Sequence, residues 1–152
     1  GVTCVTLLHR ARANPETKAT GWIHDRHRFN LPPDVYTGLL LDEQGNILEG
    51  MSSNFYAILD GELRTAGSGI LPGIAQQIVL EIAPRLLPVR KEAIHLRDLP
   101  QVSEAFISSS SRGIVPVVKI DETVIGRGSP GAKTVALQEA YRVWVQAHLE
   151  DL

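Results

Sequence analysis

Cysteine is almost missing: Cys4 is the single one among 152 residues. One thiol cannot close an internal disulfide, so covalent staples are excluded and a reducing, cytoplasmic compartment is expected. Excess charge is missing too. The formal net charge of -2 gives no electrostatic support to a nucleic-acid partner or an anionic membrane surface. Long hydrophobic runs are absent. Stretches such as Gly38–Leu41 are far too short to cross a bilayer, and no signal-peptide pattern opens the chain. Metal-ligand spacing is not found either. The five histidines, His9, His24, His27, His95 and His148, do not converge, and the pair three residues apart reads as a polar helix face. There is no internal repeat and no low-complexity linker.

What is present is ordinary globular composition, 43% apolar and 21% charged. A chain of this length buries roughly 70% of its unfolded surface, so residues 1–152 read as one domain. The chain opens on Gly1 and runs at once into the apolar stretch Val2–Leu8. That start predicts the C-terminal part of a longer protein, with its first strand already under way.

The patterning predicts an α+β layout in which strands dominate. Val2–His9 reads as a strand, and Arg10–Thr20 as a polar loop. Gly21–Asn30 reads as a short helix stopped by Pro32 and Pro33. Tyr36–Leu41 and Ile47–Glu49 flank the turn residues Asp42 to Asn46, and Ser53–Leu59 and Glu62–Thr65 flank Asp60-Gly61, so two hairpins are expected. Ile74–Ala83 carries Ile74, Ile78, Val79 and Ile82 at helical spacing, closed by Pro84. Leu87–Ile94, Ala105–Ser109 and Ile114–Ile120 read as strands, and Gly131–Leu149 as the terminal helix.

Three segments pair unusual local structure with chemical groups. Glu49-Gly50-Met51-Ser52-Ser53-Asn54 places a carboxylate before a glycine that lets backbone approach a ligand closely; a polar bulge at a strand end is the other reading. Gly69-Ile70-Leu71-Pro72-Gly73-Ile74-Ala75 feeds a turn into a helix, whose first N–H groups and dipole favour an anion; many ordinary helices also begin this way. Ser108-Ser109-Ser110-Ser111-Arg112-Gly113 offers hydroxyls, turn amides and a guanidinium to a phosphate or carboxylate; a solvated serine turn fits as well.

Taken in order and spacing, these motifs resemble the class IV aminotransferases, the family of branched-chain and D-amino acid aminotransferases and aminodeoxychorismate lyases. The resemblance runs from about Asn14 to Tyr141 and includes the Ile-Val-Pro-Val strand after the serine turn. It implies the large domain of the fold-type IV enzymes, a mixed, mainly antiparallel, barrel-like sheet with flanking helices, and the cofactor pyridoxal 5'-phosphate. It implies a lysine about thirty residues before the motif glutamate. Lys18 stands thirty-one before Glu49, and the other lysines, Lys91, Lys119 and Lys133, all follow it. Lys18 would form the Schiff base and shuttle the substrate proton, and Glu49 would pair with the pyridine nitrogen. Ser53, Asn54, Gly73, the amides of Ile74 and Ala75, Ser109 and Ser110 would hold the cofactor. Ser111 and Arg112 would face the substrate carboxylate, the Arg112 role being inferred from charge and position with a surface salt bridge as its rival. Amino-acid and keto-acid substrates and a homodimer are further implications.

The sequence departs from the family pattern in three places. Ala75 stands where members often have threonine, which removes a hydroxyl from the anion-binding turn. Ile23, beside Trp22, stands where branched-chain enzymes place a tyrosine. The family's N-terminal small domain has no counterpart in these 152 residues. Transamination is the favoured expectation; pyruvate elimination from aminodeoxychorismate, or a non-catalytic homologue or fragment, are the alternatives.

Overall fold

The computed structural model describes residues 1–8, 12, 15–16 and 28–149. Its centre is a closed six-stranded barrel. The strands are β1 (Val2–Leu7), β2 (Thr37–Leu41), β3 (Ile47–Gly50), β4 (Ser53–Leu59), β5 (Glu62–Arg64), β6 (Val89–Arg90), β7 (Glu104–Ser109), β8 (Gly113–Ile120) and β9 (Thr123–Val124). The sheet runs β3-β2-β1-β8-β7-β4, and a β3–β4 pairing closes the ring. Closure leaves these six strands without a free edge. β5 and β6 extend the sheet from β4, and β9 pairs with β8. β1 is parallel to both β2 and β8, and the other barrel pairings are antiparallel.

Both expected hairpins form. In the tighter one, Asp60 and Gly61 adopt φ of 53° and 77°, the two positive values that a two-residue turn matched to strand twist requires. Strand alternation then sorts the core. Phe55, Ala57 and Leu59 of β4, with Ala105 and Ile107 of β7, share one cluster with Cys4, Leu39, Leu41, Val117 and Ile120 inside the barrel. Tyr56, Ile58 and Phe106 point the other way, into a second cluster under the helices. There the Tyr56 and Phe106 rings stack at 4.5 Å, and the Tyr56 and Ser108 hydroxyls lie 2.8 Å apart. Cys4 is sealed inside, its thiol pushed up to about 12 by burial; it is protonated and unreactive there.

Helices α1 (Ile74–Ile82) and α2 (Ala132–Leu149) cover the outer cluster. The buried stripe of α1 is Ala75, Ile78, Val79 and Ile82, the i, i+3, i+4, i+7 pattern, with Gln76 beside it. Ile74, expected on that stripe, is instead 70% exposed, because the stripe begins one residue later. Pro84 does not end the chain's turning: it sits in a 3₁₀ turn, Ala83–Arg85, that continues from α1. α2 is anchored at its start by Glu104, whose carboxylate accepts the amides of Lys133 and Thr134 at 3.1 and 2.7 Å. Trp144 ties the helices by donating to Glu81 at 3.0 Å.

Two expectations need correction. Leu87–Ile94 forms a strand only at Val89–Arg90, since Leu87, Ala93 and Ile94 pack singly into three different clusters. Residues 28–30, expected to finish a short helix, are a turn; its earlier part lies outside the described residues.

Candidate functional site

Glu49 lies near the end of β3, and a two-residue turn, Met51-Ser52, reverses the chain into β4. The register pairs Glu49 with Asn54 and Gly50 with Ser53. A side chain at Gly50 would displace the Ser53 hydroxyl, so glycine leaves that hydroxyl in place where the two strand ends close. Glu49 is 1% exposed. Its Oε1 lies 3.2 Å from Arg12 Nε, and its Oε2 accepts the amide of Leu71 at 3.1 Å. Burial lifts its carboxyl to about 7, while the Arg12 charge and the Leu71 amide pull the other way. Oε1 accepts no hydrogen bond of good geometry among the described residues, and the buried Ser53 hydroxyl has no partner there either. Each is a polar atom able to take a ligand group.

Leu71 belongs to the turn before α1, and Asn54 holds it too, its Nδ2 donating to the Leu71 carbonyl at 2.8 Å. Gly73 is the cap of α1, with extended backbone and no side-chain capping bond. A Cβ at Gly73 would lie 2.6 Å from Asn54 Oδ1. The helix ladder begins with Gln77 N–H to the Gly73 carbonyl, 3.1 Å. The amides of Ile74 and Ala75 therefore precede the ladder and form the anion-attracting end of the helix. Through Leu71, the buried carboxylate and this helix terminus are joined in one hydrogen-bonded unit.

The serine turn connects β7 and β8, with Ser109 paired to Gly113. Gly113 takes a φ of +63°, a conformation that suits glycine at the turn's end. Ser53, Ser109, Ser110, Ser111 and Arg112 all line one cavity of about 690 Å³, together with Tyr36, Thr37 and Met51. Arg112 donates to the Tyr36 hydroxyl and lies over its ring, 5.1 Å from the centroid. The expected site residues thus fall into two neighbouring groups. Ser53, Ser109, Ser110, Ser111 and Arg112 share the cavity. Glu49, Asn54, Gly73, Ile74 and Ala75 gather around Leu71. Lys18 lies outside the described residues, as do Trp22 and Ile23.

Three residues of the site carry no signal of their role in the sequence. Arg12 is one of several arginines in a polar stretch, and nothing local distinguishes it from Arg10. Tyr36 reads only as the start of a strand. Leu71 acts through its main chain, which leaves no side-chain signature. Among the described residues no group of three or more potential ligands could hold a metal ion. No helix there is long and apolar enough to cross a membrane.

The fold agrees with comparisons to known proteins. The model of the amino-transferase class IV family matches residues 28–120, and the chain belongs to that family. A probable branched-chain-amino-acid aminotransferase of Thermotoga maritima is 33% identical over 115 residues, 74% of this chain and 42% of that protein. A D-alanine aminotransferase of Staphylococcus haemolyticus is 35% identical over 104 residues, 66% of this chain and 37% of that protein. The crystal structure of a branched-chain aminotransferase from the thermophilic archaeon Thermoproteus uzoniensis with norvaline superposes with a TM-score of 0.83 at 28% identity, covering 97% of this chain and 52% of that one. Among the solved structures that match is also a branched-chain amino acid aminotransferase with pyridoxamine 5'-phosphate, at a TM-score of 0.88. The chain spans about two fifths of the length of the curated relatives it matches.

Proposed function

We propose that this chain is the cofactor-binding large domain of a pyridoxal 5'-phosphate-dependent aminotransferase, moving an amino group between an amino acid and a 2-keto acid. The observation that carries the reading is the joining of a buried carboxylate to an uncapped helix terminus through Leu71. A ligand with a protonated ring nitrogen at one end and a phosphate at the other matches that pair of groups. The under-bonded Glu49 Oε1 is the acceptor for the first, and the open amides of α1 are donors for the second.

Pyridoxal 5'-phosphate, when bound, supplies a conjugated ring that takes up electrons from a bond broken at the substrate α-carbon. Glu49 would pair with the ring nitrogen and favour a proton there. Ile74 and Ala75 amides, with Ser110, would hold the phosphate, and Asn54 fixes the turn before the two amides. Lys18 holds the cofactor through its amine and takes and returns the proton at the substrate α-carbon. Ser111 and Arg112 orient the substrate carboxylate in the cavity. The relatives named above are aminotransferases, which favours transfer over pyruvate elimination. A homodimer completes the proposed assembly.

The test is borohydride reduction of the chain incubated with pyridoxal 5'-phosphate, followed by peptide mass mapping. A single phosphopyridoxyl mass on Lys18, lost in Lys18→Ala, is the expected result. Labelling confined to Lys91, Lys119 or Lys133, or none at all, would defeat the reading. Release of pyruvate from aminodeoxychorismate without amino-group transfer would move the assignment to the lyase.

A further inference from the structure

The Glu49 carboxylate sits where desolvation strongly disfavours its charge. Among the described residues, the charged group facing it is Arg12, with the guanidinium Nε 3.2 Å from Oε1. Both side chains are buried, 8% and 2% exposed respectively, so solvent screens the pair little. The same guanidinium reaches the next turn, its Nη2 donating to the Met51 carbonyl at 3.3 Å. Arg12 therefore spans the Glu-Gly turn, touching the carboxylate before it and the main chain after it. Leu71 holds the other oxygen. Asn54, the cross-strand neighbour, spends its amide on Leu71 and not on Glu49.

Taking the cofactor reading above as its premise, we propose that Arg12 is a positioning residue that aims the Glu49 carboxylate and favours its charged form. Arg12 stands six residues before Lys18 in the sequence. A carboxylate here accepts a proton-bearing ring nitrogen, whereas a neutral carboxylic acid would itself be the donor. Arg12 shifts the balance toward the carboxylate, because burial alone favours the neutral acid. An ionised carboxylate has about four acceptor positions. Arg12 and Leu71 face one oxygen each, which leaves further acceptor positions without a hydrogen bond. Arginine suits the task better than lysine, since its planar fork serves carboxylate and carbonyl together.

The test needs no cofactor. The side-chain carboxyls of the chain are followed by ¹³C NMR against pH, with the Glu49 signal assigned by its loss in Glu49→Gln. In Arg12→Gln the Glu49 midpoint should rise by about one pH unit or more, a tenfold gain in proton affinity. In Arg12→Lys, which restores the charge without the fork, it should fall between the two. A folded Arg12→Gln whose Glu49 titrates as in the parent chain would overturn the proposal. Should that variant fail to fold, Arg12→Lys decides: a raised midpoint supports the assignment and an unchanged one overturns it. Borohydride labelling of Lys18 in the parent chain is a separate readout. Its failure removes the cofactor reading, while the Glu49 titration still reports on Arg12.

Discussion

The side-chain amide of Asn54 donates a 2.8 Å hydrogen bond to the main-chain carbonyl of Leu71, seventeen residues away. That bond fixes the turn in front of α1 from the strand beneath it. In Asn54→Ala the half-buried carbonyl loses its donor, at a cost of about 0.5–1.5 kcal/mol in stability. The helix terminus should lose its presentation as well. Retention of pyridoxal 5'-phosphate is expected to drop by roughly tenfold, while pyridoxal, which lacks the phosphate, should be retained as before. Equal loss of both ligands would show that Asn54 does not act on the phosphate end.

Glu49 makes stability depend on pH in an unusual direction. Its folded-state value of about 7 lies above the ordinary 4.5, so the native state binds more protons than the unfolded chain between those limits. Stability present below pH 4.5 is therefore lost as pH rises toward 7, and levels off above it. The size is at most about 3 kcal/mol. Urea midpoints measured from pH 4 to 8 should decline less in Glu49→Gln than in the parent. Parallel profiles would mean that the carboxyl titrates normally in the folded chain.

Arg112 and Tyr36 stand together in the lining of the cavity. Arg112→Gln should raise KM for amino acids roughly ten- to hundredfold, the worth of a charge-assisted bond, with kcat changed much less. Tyr36→Phe keeps the ring under the cation and loses the hydroxyl, so a smaller rise, roughly two- to tenfold, is expected. Amine donors without a carboxylate should be unaffected. A uniform loss across both donor types would argue for a structural contact only.

Much of this arrangement is legible in the sequence because local signals and long-range needs coincide. Asp60-Gly61 demands positive φ, and the structure supplies it. The alternation along Ser53–Leu59 reads directly as two faces, and the fold makes them two cores. The sequence is opaque where a residue works through its backbone or through tertiary burial. Leu87–Ile94 has β-rich composition but its apolar residues are needed as separate plugs, so only two residues pair. Leu71 contributes a main-chain amide and carbonyl, which every residue but proline has. Arg12 becomes distinctive only when folding buries it against Glu49. Motif alone assigns Asn54 to the cofactor. The structure adds that its amide holds the Leu71 turn, a contact visible only when the strand register is known.

Asn54 pairs with Glu49 on one side and Ser108 on the other, so three strands meet in line at this point. A slip of one position in β4 would swap its two faces. It would also carry the carboxylate partner, the turn anchor and the start of the serine loop out of alignment together. The recess has no fragment that could survive while the ring opens, so shaping it and closing the staves are the same event.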